Sequence, residues 1–84
     1  MLIMLDLINW VKDGTYRKKV LELLKKDNFL SSELAEKLEI NRASMSRILK
    51  ALKEKELVSS ITSSSRTITY SITKKGKDIV GRLK

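Results

Sequence analysis

Ser31-Ser32-Glu33-Leu34-Ala35-Glu36-Lys37-Leu38-Glu39-Ile40-Asn41-Arg42-Ala43-Ser44-Met45-Ser46-Arg47-Ile48-Leu49-Lys50-Ala51-Leu52 is the stretch on which the fold turns. Leu34, Ala35 and Leu38 fall on one side of a short helix that Ser31 or Ser32 can cap, with Glu33 in its first turn, where the helix dipole favours an acid. Glu39-Ile40-Asn41 reads as a turn, and Asn41 is a good cap for a second helix over residues 42–55. At 100° per residue, Met45, Ile48, Leu49, Leu52 and Glu56 gather on one side of that helix and Ala43, Ser46, Arg47, Lys50 and Glu54 on the other. The apolar side must be buried. The presented side is short in side chain at its N-terminal half and cationic in its middle, which suits a helix entering a DNA major groove: small residues allow close approach, and Arg and Lys reach base edges and phosphates.

Working outward, the period changes after Glu56. Residues 57–62 and 67–73 are rich in β-branched residues, and Ile68, Tyr70 and Ile72 alternate with Thr69 and Ser71. Ser63-Ser64-Ser65-Arg66 between them is polar, turn-length and free of Gly, predicting a β-hairpin with a loose tip. Thr73 can cap a last helix over residues 74–83. Upstream, Tyr16, Val20, Leu23 and Leu24 define the apolar face of a helix over residues 16–26, with Thr15 as its cap and Asp27-Asn28 as its end. Residues 2–12 read as a further helix, apolar on nearly every side.

The chain has 84 residues, 18 Lys+Arg against 10 Asp+Glu, and no Cys, His or Pro. A chain of this length is expected to form one domain with a modest core. Without Cys or His there is no disulfide framework, no thiolate or imidazole metal ligand and no imidazole base, so no metal and no cofactor is expected. No nucleophile is paired with a base and no Gly-rich phosphate loop appears, so the chain is not expected to be an enzyme. A net charge of +8 on so small a body points to a polyanionic partner. The charge is uneven: residues 42–56 set Arg42, Arg47, Lys50, Lys53 and Lys55 against Glu54 and Glu56, whereas residues 31–41 are net acidic. The apolar run Met1–Val11 is about half of what a spanning helix needs and lacks the features of a signal peptide, so a cytoplasmic protein without membrane association is expected.

Residues 31–52 resemble the helix–turn–helix of winged-helix transcription regulators. Residues 53–58 are similar to that group's exit into the wing, and Tyr70-Ser71-Ile72-Thr73-Lys74-Lys75-Gly76 to its closing strand and helix start. The resemblance is greatest to small archaeal and bacterial regulators of the ArsR-like and MarR-like type and covers residues 15–84. One position departs: Glu39 stands where the turn often has Gly. The resemblance implies an α+β, mainly α, winged helix with additional terminal helices, binding double-stranded DNA. By position, Ala43, Ser44, Ser46, Arg47 and Lys50 would face the major groove, Ser32, Asn41 and Arg42 would lie near phosphates, and Arg66 at the hairpin tip would reach the backbone or minor groove. Arg47 is the best candidate for base readout, since a guanidinium engages guanine bidentately.

The apolar surplus of residues 1–13 is read as a dimerisation element preceding a DNA-binding domain over 14–84. Leu2, Ile3, Leu5, Ile8 and Trp10 would form a homodimer interface together with Ile79 and Leu83. The rival reading from another class is a winged-helix protein-interaction or RNA-binding subunit of a larger assembly, in which the basic face is incidental.

Overall fold

A computed structural model describes residues 4–62 and 67–83. The elements run α1 (Met4–Asp13), α2 (Thr15–Lys26), β1 (Phe29–Leu30), α3 (Ser31–Leu38), α4 (Arg42–Glu54), β2 (Val58–Thr62), β3 (Ile68–Ile72) and α5 (Lys74–Arg82). The strands form one antiparallel sheet in the order β1-β3-β2. Val58 faces Ile72 at the base of the β2–β3 hairpin and Thr62 faces Ile68 at its far end. This is the α+β, mainly helical, winged helix that the resemblance implies.

Every helix contributes to one core. Leu7 and Val11 come from α1, Val20, Leu21 and Leu24 from α2, Leu34 and Ala35 from α3, Met45, Leu49 and Leu52 from α4, and Ile79 and Val80 from α5. Leu57 and Val58 close it beneath the hairpin. Among the described residues no charged or polar side chain is buried, so the core needs no internal polar partners.

Several local expectations shift. Helix α2 buries Leu21 in place of Tyr16, which is 38% exposed, and Leu23 is only half-buried. The helix packs against α1, α3, α5 and β3 at once, so its buried face is wider and rotated from the one an isolated wheel suggests. Gly14, not Thr15, takes the cap position of α2, with no side-chain cap. The two-residue strand β1 pairs Phe29 with Tyr70 and Leu30 with Thr69. That pairing holds Leu30 extended, so α3 begins at Ser31 with Leu30 as its cap residue, and neither Ser31 nor Ser32 caps it. The Glu33 carboxylate instead accepts the Leu30 N–H at 2.8 Å.

Both helices of the helix–turn–helix close with a left-handed residue. Glu39 has φ 55° and ψ 44°, and Ile40 N–H reaches back to the Ala35 carbonyl at 3.0 Å. Glu56 has φ 62°, and Leu57 N–H reaches the Leu52 carbonyl at 3.0 Å. This is the hydrogen-bond pattern that Gly usually completes at a helix C-terminus. A side chain there costs about 1 kcal/mol. Glu39→Gly is therefore expected to raise unfolding free energy by about 0.5–1 kcal/mol, the gain being trimmed by the greater freedom of Gly in the unfolded chain. Chemical denaturation measures it, and a destabilised variant would mean that the Glu39 side chain makes a contact worth more than the strain.

Candidate nucleic-acid interface

The turn between α3 and α4 ends in a well-formed cap. Asn41 is extended, and its Oδ1 accepts the Ser44 N–H at 2.7 Å. This sets the start of α4 and fixes which side of it faces out. Met45, Leu49 and Leu52 point into the core, with Ile48 half-buried beside them. Arg42, Ala43, Ser46, Arg47 and Lys50 are exposed on the outer side, while Ser44 is half-buried beneath the cap. After Arg42, the small Ala43 and Ser46 thus precede Arg47 and Lys50 along the presented face, in the order the wheel predicts.

Ser32 is brought to this face by the fold. Leu30, Ser31, Ser32, Arg42, Ser46 and Ile68 line one shallow crevice where the start of α3, the start of α4 and strand β3 meet. Ile68 is 45% exposed there and was not foreseen as part of the face, because its alternation within the hairpin marks it only as a strand residue. A second unforeseen residue is Lys53. Its Nζ donates to Ser60 Oγ at 2.8 Å, tying the last turn of α4 to strand β2. Arg66, expected at the hairpin tip, lies outside the described residues. Lys74, Lys75 and Lys77 are exposed at the start of α5, where Thr73 Oγ1 accepts the Gly76 N–H and donates to the Glu56 carbonyl.

The residues expected at a dimer interface separate. Leu5 is 59% exposed, and Ile8, Trp10 and Leu83 are half-buried. Ile79 is fully buried in the chain's own core, where the inward side of α5 packs on α2, and is not available to a second copy. Leu2 and Ile3 lie outside the described residues. Among the described residues, no helix is long and apolar enough to cross a membrane, and no group of three or more His, Cys, Asp or Glu is placed to hold a metal ion.

A family model for the MarR family matches residues 20–66, from the middle of α2 to just beyond β2. The chain belongs to the MarR family. Within the two-way resemblance seen in the sequence, this decides for the MarR-like branch. Solved structures agree with this MarR-family chain in fold. A variant of ZitR from Lactococcus lactis in complex with DNA is 30% identical, with a TM-score of 0.77 over 84% of this chain and 50% of that one. Wild-type ZitR in complex with DNA is also 30% identical, with a TM-score of 0.74 over 81% of this chain and 48% of that one. The adhesin competence repressor AdcR from Streptococcus pyogenes matches with a TM-score of 0.77 at 21% identity, covering 83% of this chain and 54% of that one. The MarR-family chain spans about half the length of these relatives. No curated protein sequence matches it.

Proposed function

We propose that this chain is a sequence-specific double-stranded DNA-binding transcription regulator, without enzymatic activity, acting in the cytoplasm. The observation that carries the reading is the outer face of α4. A helix whose inner side is locked by Met45, Leu49 and Leu52 presents Ala43 and Ser46, then Arg47 and Lys50, with Arg42 and Ser32 beside them. That order suits a helix whose N-terminal half approaches base edges and whose cations engage guanine and phosphate. ZitR, of the same fold, is found in complex with DNA, and this supports the same ligand here. In this reading α4 enters the major groove, and the hairpin, including Arg66, runs along the backbone or the neighbouring minor groove.

The test is selection from a mixed pool of duplex DNA at two salt concentrations, followed by titration of wild type and Arg47→Ala. The variant is expected to lose about 1–3 kcal/mol on the preferred duplex and much less on unrelated duplexes. Absence of salt-dependent duplex binding by wild type would falsify the reading.

Homodimerisation belongs to the same proposal. Leu5, at 59% exposure on α1, is a large apolar side chain left open by the described residues, and Ile8 and Leu83 would extend a patch around it. A two-fold dimer would place two copies of α4 about 34 Å apart and select a pseudo-palindromic site. Sedimentation velocity is expected to give twice the mass of the chain, and a monomer at the concentrations used for DNA binding would remove the dimer.

A further inference from the structure

Trp10 is the chain's single tryptophan and lies near the C-terminal end of α1. Two cations from other elements meet its ring. Arg17 Cζ lies 4.1 Å from the ring centroid and Lys55 Nζ 5.5 Å. Arg17 also donates from Nη1 to the Trp10 carbonyl at 2.6 Å. All three residues are half-buried. Lys55 is the cap residue that ends α4, directly before the left-handed Glu56. Two like charges gathered at one ring repel each other, and solvated side chains would swing apart. The negative face of the indole is what makes their convergence favourable. Helix α1 packs mainly on α2 and α5, so this ring carries its reach to the end of the helix that presents Arg47 and Lys50.

We infer that Trp10 is a positioning residue for DNA recognition, holding the C-terminal end of α4 against the α1–α2 corner through Arg17 and Lys55. The inference rests on the reading of α4 as the DNA-contacting helix. A helix of 13 residues is about 20 Å long, so a tilt of about 5° about one end displaces the other by nearly 2 Å. Base readout by hydrogen bonds does not survive a displacement of that size. The core contacts of Met45, Leu49 and Leu52 fix the depth of α4. The Trp10 joint fixes its angle at the end that the Asn41 cap does not govern.

The experiment is a double-mutant cycle on the full chain with Lys55→Gln and Trp10→Leu. It is titrated against a duplex enriched by wild type and repeated across salt concentrations. Trp10→Phe serves as the conservative variant. Lys55→Gln keeps the stem and removes the charge, and is expected to weaken duplex binding about three-fold with only a small loss of thermal stability. Trp10→Leu is expected to weaken it more, and Trp10→Phe to recover most of the loss. In the Trp10→Leu background, Lys55→Gln is expected to add nothing, and the salt slope is expected to stay as in wild type.

A Lys55 that contacts phosphate directly would give additive losses and a salt slope lower by about one, and either result overturns the joint. Amide exchange of residues 52–56 reads the joint without DNA. It is expected to quicken in Trp10→Leu, and unchanged exchange also overturns the inference. A wild-type chain that binds no duplex overturns the regulator reading instead, and the exchange measurement then judges the joint alone.

Discussion

Gly76→Ala is expected to lower unfolding free energy by about 2 kcal/mol, although alanine is the better helix former by nearly 1 kcal/mol. Gly76 is buried in the first turns of α5. A Cβ there would run into the Leu57 carbonyl oxygen and come within 2.7 Å of Ile72 Cγ1. The Ile72 side chain can rotate away, but the carbonyl cannot. Leu57 O already accepts the Thr73 N–H at 3.1 Å, at the point where the chain leaves α4 and enters β2. Relief requires α5 to withdraw from the sheet, which opens the contacts of Ile79 and Val80. For a domain of this size, with a total stability of roughly 4–12 kcal/mol, such a loss is large. Gly81 supplies the control. It is exposed on the same helix with open space around its Cβ position, so Gly81→Ala is expected to be stabilising. Paired denaturation curves check both signs, and a Gly76→Ala variant as stable as wild type would mean that α5 is not seated on the hairpin base.

Leu49→Ala is expected to be costlier still, at about 2–5 kcal/mol. Leu49 is 1% exposed and sits between Met45 and Leu52 on the inner side of α4. Its truncation leaves a cavity lined by helices that cannot collapse without moving one another. Met45 and Leu52, on either side of the gap, still seat α4 and so hold Arg47 and Lys50 in place. Leu49→Ala, assayed at a temperature where it remains folded, is therefore expected to keep most of its duplex affinity, whereas Arg47→Ala keeps stability and loses affinity. Equilibrium denaturation and duplex titration of the same two proteins measure this crossed pattern. Equal losses of affinity in both would show that the two faces of α4 are not separable.

The parts of the molecule legible in the sequence are those written in local chemistry. The start of α4 follows from one side chain, Asn41, hydrogen bonding three residues ahead. The start of α5 follows likewise from Thr73. The hairpin shows in its β-branched alternation, and the presented face of α4 in the contrast between its two sides. What the sequence hides is set by distant partners. A strand of two residues has no period to detect, and β1 exists because Tyr70 and Thr69 lie opposite it. The same pairing moves the cap of α3 from its serines to Leu30. Ile79 reads as a surface residue on α5 alone and becomes core only once α2 is laid across it. Trp10 reads as surplus apolar surface until Arg17 and Lys55 arrive from elsewhere in the chain. Ser32 and Ile68 join one crevice only in three dimensions.

The pairing of Phe29 with Tyr70 also bears on how the chain folds. The strand that leads into the helix–turn–helix finds its partner only at the far side of the hairpin. Closing so long a loop is entropically costly before any contact repays it. The two helices that form the reading head are local and can flicker early. The contact that seats the start of α3 on the sheet, by contrast, joins residues far apart in sequence. On a ribosome, that seat cannot form until the chain has emerged past Tyr70. A fragment cut after α4 would keep both helices and lose the strand with which β1 pairs.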